Sequence, residues 1–231
     1  MKKDNFIVVT IKSWNVQNYK KLKKEDKKNY WHLIKNKDNF KYESIKKINP
    51  KYIFFPHWSW KIPKEVYENF ECIAFHMTDL PFGRGGSPLQ NLIIHGYKKT
   101  KITAFQVIDK LDAGPIYIKK DLSLKGSAQE IFKRASEIIF KEMIPHILKE
   151  SPKPFPQKGK IVSFSRRKPK DSDISNLNNL NEIFDYIRML DAEDYPKAFL
   201  EKNSLRIEFQ NAKKKNNKII ANVNIKIKRL T

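Results

Sequence analysis

An open α/β fold, a Rossmann-like sheet with helices on both faces plus a small C-terminal helix and β-hairpin extension, is what this sequence predicts. Three observations lead there. Short apolar, β-branched runs alternate with helix-like stretches up to about residue 150, as expected for a layered α/β fold with crossover connections. A proline-rich connector, Ser151-Pro-Lys-Pro-Phe-Pro156, then breaks the pattern. After it, one helical stretch precedes two alternating apolar–polar runs that read as a hairpin. The expected division is a main domain over residues 1–150 and an extension over residues 151–231.

Phe6-Ile-Val-Val-Thr10 reads as a buried strand. Residues 15–48 are polar and Lys-rich, and are expected to hold one or two short helices or loops. Tyr52-Ile-Phe-Phe55 is a second strand, ended by Pro56, and Pro63 suits the first turn of a helix running to Phe70. Cys72-Ile-Ala-Phe-His76 is a third strand with His76 at its carboxyl end. The loop from Thr78 to Ser87 follows, then a short helix from Leu89 to His95 with Gly96 as its stop. Ile102–Ile108 and Pro115–Ile118 are further strands around the turn Lys110-Leu-Asp-Ala-Gly114. Ser127–Leu148 is the clearest helix, with Ser127 and Glu130 as a capping-box pair and Pro145 expected to kink it. A helix from Leu177 to Leu190 precedes strands Leu205–Phe209 and Ile219–Ile227, turned by the run from Lys213 to Lys218.

Composition narrows the function. The 231 residues are 40% hydrophobic, enough for an ordinary core. No apolar run approaches the roughly 20 residues that span a bilayer, and the N-terminal apolar run is too short for a signal peptide. A cytoplasmic protein without membrane contact is expected. The lone Cys72 excludes an intramolecular disulfide and reads as a small apolar residue of a buried strand. The net charge of +22 admits several readings. It suits a nucleic acid, and equally a nucleotide-sugar or a polyglutamylated folate drawn by the field. It also suits a solvated surface set by composition bias, since the excess is mostly scattered Lys. His32, His95 and His146 read as surface or packing residues. No Cys/His cluster has metal-ligand spacing, so no metal is expected.

Two patches carry the chemistry: Phe75-His-Met-Thr-Asp-Leu-Pro-Phe-Gly-Arg-Gly-Gly-Ser-Pro88 and Lys110-Leu-Asp-Ala-Gly-Pro115. His76 leaves a buried strand for a loop whose glycines allow close backbone approach. Asp112 lies 112 − 76 = 36 residues further on, a gap that one strand–helix–strand unit can fill while returning the chain to the same sheet edge. Brought together, a carboxylate would orient the imidazole and stabilise its charged form. Alone, His76 reads as well as a hydrogen-bonded structural histidine, and Asp112 as a turn residue bonding its own backbone.

The pattern His-x-x-x-Leu-Pro-x-x-Arg-Gly-x-x-Pro, followed at this distance by Leu-Asp-x-Gly-Pro, resembles the folate-dependent formyltransferase family. That family uses N10-formyltetrahydrofolate to formylate methionyl-tRNA, glycinamide ribotide or sugar amines. The resemblance covers about residues 50–120. It implies that His76 and Asp112 are catalytic. It also implies that Trp58-Ser-Trp-Lys-Ile-Pro63 lines the folate pocket, so that Trp58, Ser59, Trp60, Ile62, Arg84, Gly85, Gly86, Ile108 and Lys110 are the expected cofactor-binding residues.

Two departures shape the expectation. The family usually has Asn two residues before the histidine, holding the formyl oxygen, whereas this chain has Ala74. Losing one oxyanion donor costs about 2.7–4 kcal/mol of transition-state stabilisation, and Asn91, Thr78 and His57 are candidate substitutes. The family's usual domain is also longer before the histidine strand, which here has 75 residues ahead of His76. That shortening and the wording of the first patch look most like the short sugar formyltransferases of the pseudaminic-acid type. The expected acceptor is therefore a nucleotide-linked amino sugar for surface-polysaccharide biosynthesis, with nucleic acid not expected as a partner and a homodimer as one candidate assembly. Lys12, Trp14, Asn15, Thr78, Asn91, Arg166 and Arg167 are the candidate substrate-binding residues. Of these, Lys12, Trp14 and Asn15 read equally as core and surface residues, and Arg166 and Arg167 as a basic surface loop. Methionyl-tRNA formylation is the alternative reaction. A non-catalytic nucleic-acid-binding module is the rival from another class, and a formate-releasing hydrolase is a third reading.

Overall fold

A computed structural model of the chain describes residues 3–227. The chain divides into two compact units, neither continuous in sequence. The first comprises residues 1–85, 100–122 and 132–163; the second comprises residues 86–99, 123–131 and 164–231.

The first unit is built on a six-stranded sheet. Its strands are β1 (Asn5–Val9), β2 (Tyr30–Ile34), β3 (Tyr52–Pro56), β4 (Cys72–His76), β6 (Lys99–Gln106) and β7 (Ile116–Ser123), in the order β2-β1-β3-β4-β6-β7. β1 pairs in parallel with β2 and β3, and β3 with β4. The predicted α/β sheet forms because these runs alternate two buried faces. Ile7, Val9, Ile53, Phe55 and Cys72 lie in one cluster with Ile45 of α2 (Tyr42–Ile48) and Val66 of α3 (Lys64–Asn69). Burial pushes the Cys72 thiol up, so it packs as a small apolar side chain. α1 (Ser13–Glu25) is fixed by Asn18, whose amide donates to the Ser136 hydroxyl at 2.8 Å.

Several elements differ from the sequence reading. β2 falls inside the stretch expected to be helical or looped. Its Tyr-Trp-His-Leu-Ile run is only partly buried because it forms the sheet edge, so lysine-rich flanks mask it. β6 runs antiparallel to β4, so its last residue, Gln106, pairs with Ile73 rather than with His76. The glycine loop contains a short strand, β5 (Phe82–Gly85), which forms a two-stranded sheet with β8 (Val162–Phe164). The expected interruption of the helix takes the form of a π-helical turn ahead of the proline. α5 (Ala128–Ile138) passes through a π-helical turn, Ile139–Met143, into α6 (Ile144–Glu150). Pro145 has no N–H and its ring crowds the carbonyl four residues back, so the preceding turn widens. The Ser127–Glu130 capping box forms as expected, each side chain bonding the other residue's N–H, at 2.8 and 3.3 Å.

The second unit carries α4 (Pro88–Ile94), α7 (Leu180–Leu190) and an antiparallel sheet of β9 (Ala198–Lys202), β10 (Leu205–Lys215) and β11 (Lys218–Ile227), in the order β11-β10-β9. The Gln90 amide ties α4 to α7 through the Met189 carbonyl at 3.1 Å. α7 starts at Leu180 rather than Leu177 because the Asn179 side chain caps the Asn181 N–H at 2.7 Å. The expected hairpin has a third strand, β9. The lysines of residues 213–215 belong to β10, and the turn falls at Asn216, which takes a φ of +47°, a conformation that Asn tolerates better than Lys does. Among the described residues, no helix is long and apolar enough to cross a membrane.

Candidate active site

Parallel pairing puts the carboxyl ends of β1, β3 and β4 on one edge of the sheet, where ligands of open α/β sheets bind. β4 delivers His76 there with its ring almost fully buried. Its Nε2 lies 2.7 Å from the Gly83 carbonyl oxygen. A carbonyl only accepts, so Nε2 carries the hydrogen and donates, and Nδ1 is left for chemistry. Nδ1 faces Asp112 Oδ2 at 3.8 Å. The loop after β6 has brought Asp112 back from Gln106, and Asp112 sits at a φ of +50°. Its Oδ2 accepts the Gly85 N–H at 2.8 Å, so the carboxylate is fixed by the glycine loop rather than by its own turn. The 3.8 Å gap exceeds a hydrogen bond and gives two polar groups a common face on which a reacting centre can sit.

The surrounding candidates divide by what holds them. Thr78 is buried and its hydroxyl donates to the Gly83 carbonyl at 3.3 Å, while Thr103 donates to the Thr78 carbonyl at 2.7 Å. Asn91 belongs to the second unit, where its amide donates to the carbonyls of Gly86, Ser87 and Ser165. His57 makes edge contacts with Trp14 and Phe132, ring centroids 5.8 and 4.8 Å away. Ala74 itself packs on the apolar cluster of Leu80, Phe105 and Ile116, so an apolar wall stands where the family has its amide.

Trp14 is buried and stacked on Phe132, centroids 5.5 Å apart, with the buried Lys12 ammonium over its ring. Asn15 donates both amide hydrogens, to the Thr10 hydroxyl at 3.0 Å and the Pro56 carbonyl at 3.1 Å. Trp58 packs between Phe40 and Trp60, and its indole N–H is buried without a hydrogen-bond partner. Ile62 leans on the core, whereas Ser59, Trp60, Ile108 and Lys110 are exposed. Arg84 forks onto the Gln157 side-chain oxygen, with Nε at 3.1 Å and Nη2 at 2.7 Å. In the second unit, Gly86 has no room for a side chain, because an added Cβ would lie 2.5 Å from that of Arg166. Arg166 is exposed, and Arg167 bonds the Asp171 carbonyl and covers the Tyr186 ring at 5.2 Å. Among the described residues, no group of three or more His, Cys, Asp or Glu could hold a metal ion. Gln157 and the Gly83 carbonyl escaped the sequence reading. A glutamine after a proline-rich connector carries no periodic or motif signal, and a backbone carbonyl carries none at all.

His57 leads to a pH prediction. Burial, with the Lys12 charge beside it, lowers its pKa from the usual 6.5 to about 4. The unfolded chain therefore binds the proton first, and His57 contributes stability that is present above about pH 6.5 and lost as the pH falls towards 4. In urea titrations between pH 4 and 7, His57→Gln is expected to flatten the slope of stability against pH. An unchanged slope would show that the ring is not held neutral.

A formyl transferase family model matches residues 9–137, more than half of the chain. A model described as the C-terminal domain of methionyl-tRNA formyltransferase matches residues 169–226. The solved structure of methionyl-tRNA formyltransferase from Clostridium thermocellum has a TM-score of 0.96 and 56% identity, covering 97% of this chain and 99% of that one. The curated methionyl-tRNA formyltransferase of Thermodesulfovibrio yellowstonii is 30% identical over 158 residues, 65% of this chain and 51% of its own length. The chain thus spans about half the length of the curated relatives it matches. A 4-N formyltransferase from Francisella tularensis has a TM-score of 0.68 at 16% identity, covering 87% of this chain and 93% of that one. At that identity the likeness shows the fold alone.

These findings overturn the expected acceptor. The nucleotide-linked amino sugar, the pseudaminic-acid and polysaccharide context, and the exclusion of nucleic acid as a partner all give way to relatives named for methionyl-tRNA formylation. The reason is chemical. The two motifs carry His76, Asp112 and the glycine loop, on which the resemblance to the family rests whatever amine is formylated, so they say little about the acceptor.

Proposed function

The chain belongs to the formyl transferase family, and from that premise we propose that it transfers the formyl group of N10-formyltetrahydrofolate to the amino group of methionyl-tRNA. The observation that carries the reading is the 56% identity, over nearly the whole of both chains, with a structure named for that activity. The match of residues 169–226 to a methionyl-tRNA formyltransferase C-terminal domain supports it. In this reading residues 1–150 form the catalytic domain, residues 169–226 serve the acceptor, and the protein works in the cytoplasm beside its tRNA.

The folate donor fits the residues present. The buried, unpartnered indole N–H of Trp58 is a donor awaiting an acceptor, such as a pterin ring supplies, in the segment that the resemblance assigns to the folate pocket. Exposed Trp60 and Ile108 offer apolar surface, and Lys110 offers charge to a folate glutamate. The folate supplies an activated formyl carbon. The acceptor nitrogen forms a bond to that carbon, the carbon's bond to N10 breaks, the acceptor loses a proton and N10 gains one. His76 holds or moves that proton at Nδ1, because Nε2 is committed to Gly83. Asp112 Oδ2, held by Gly85, keeps the imidazole facing the gap, and Nδ1–H can support the oxygen that Ala74 cannot.

The +22 charge acquires a role in this reading, as Lys and Arg neutralise tRNA phosphates and release counterions. Affinity for initiator methionyl-tRNA is expected to fall at least about tenfold as salt rises from about 50 to 200 mM, with formylmethionyl-tRNA as the product. Salt-independent binding, or an amine other than methionyl-tRNA as the only one formylated, would sink the acceptor assignment.

A further inference from the structure

The turn that carries Asp112 is held from outside. After the proline-rich connector, Phe155 pairs with Ile116 in both directions, at 2.7 and 2.9 Å, which lays the chain along the start of β7. Two residues later Gln157 meets the Asp112 turn. Its amide nitrogen donates to the Asp112 carbonyl at 2.9 Å and to the Gly114 carbonyl at 2.8 Å. Its amide oxygen accepts both arms of the Arg84 fork, at 3.1 and 2.7 Å. A primary amide has two hydrogens to donate and two lone pairs to accept with, and here all four are used. The orientation is therefore fixed by chemistry: a flipped amide would set oxygen against two carbonyls and nitrogen against a guanidinium.

We propose that Gln157 is a positioning residue for formyl transfer, its amide clamping the Asp112 turn to Arg84 so that the His76–Asp112 gap keeps its width. The contacts form a closed circuit. Gly83 and Gly85 flank Arg84, with the Gly83 carbonyl accepting from His76 Nε2 at 2.7 Å and the Gly85 N–H donating to Asp112 Oδ2 at 2.8 Å. Arg84 returns the circuit through Gln157 to the Asp112 backbone. Without the clamp, a turn with a left-handed residue at its centre would be tied to the glycine loop mainly through the carboxylate that the reaction uses. Gln157 touches no reacting atom, so it acts through the placement of Asp112.

This inference rests on the formyl-transfer reading, and the variants separate the two. Gln157→Glu keeps the size and the Arg84 contact but removes both hydrogens and sets an anion against two carbonyls. Gln157→Met keeps the size and removes the polar contacts altogether. Both are assayed beside His76→Ala with N10-formyltetrahydrofolate and initiator methionyl-tRNA, with rates expressed per folded molecule from circular dichroism. We expect kcat to fall about 10- to 100-fold, as misplacement of a reacting group by about 1 Å does. Both KM values should stay within about threefold, the pH profile should change shape, and the Gly85 amide should exchange hydrogen faster. An inactive wild type overturns the formyl-transfer reading, an active His76→Ala overturns only the catalytic role of His76, and in either case the Gly85 exchange rate still tests the clamp. An inactive His76→Ala beside Gln157 variants that retain wild-type kcat and Gly85 exchange overturns the positioning role.

Discussion

Replacing His76 with alanine is expected to lower kcat for formyl transfer by at least about 100-fold, the lower bound for a positioned general acid–base group, with rates expressed per folded molecule because the ring is buried. The side chain lies at the end of β4 and its ring nitrogens face Gly83 and Asp112, so on the proposed mechanism its removal deletes proton handling and oxyanion support together. Asp112→Ala is expected to cost a similar factor, because the imidazole loses the group it faces and the Gly85 N–H loses its acceptor. The double variant should be little worse than either single one, since residues acting as a unit are strongly non-additive. Steady-state kinetics with both substrates saturating reads this out. Independent, multiplying losses would show that the two side chains do not work across one gap.

Gly114→Ala gives the second large effect, and it is first an effect on structure. A Cβ added at Gly114 would lie 1.7 Å from the Gln106 carbonyl oxygen, where no atom fits. The obstacle is backbone of β6, so the turn must move rather than a side chain swing away. Overpacking of this kind costs about 1–3 kcal/mol or more, which for a protein of this size lowers the melting temperature by roughly 2–4 °C per kcal/mol. Activity should fall further than stability explains, because Asp112 and the Gly114 carbonyl that Gln157 holds belong to the same turn. Gly96→Ala is the contrast. Its added Cβ meets nothing within 4 Å, although its φ of +77° strains any side chain. Gly96→Ala should therefore cost stability and leave kcat alone. If Gly114→Ala melts and turns over as the wild type does, the turn is not as tightly built as its contacts state.

What could be read from the sequence follows from how local each signal is. His76 at the end of an apolar strand and the Ser127–Glu130 capping box depend on a few neighbouring residues, and they appear where expected. β2 was hidden because an edge strand is half exposed, so its pattern dissolves among lysines. The antiparallel sense of β6 is set by which neighbour it pairs with, Ile73 against Gln106, and no local pattern encodes that. The His76–Asp112 pairing came from a motif, whereas the atoms that fix it, the Gly83 carbonyl and the Gln157 amide, are a backbone group and a residue outside any motif. The acceptor was misjudged for a related reason. A motif that carries His76 and Asp112 points to the group transferred and not to its acceptor, and scattered lysines suit several polyanions or a solvated surface alike.

The most direct test of the central claim is a single-turnover reaction of the protein with N10-formyltetrahydrofolate carrying a labelled formyl carbon, together with initiator methionyl-tRNA. The label is followed by mass spectrometry of the aminoacyl group. The account predicts that the label moves to the methionyl nitrogen with one tetrahydrofolate released per transfer, and that His76→Ala abolishes the movement. Label recovered only as free formate, or transfer that survives the loss of His76, would contradict it.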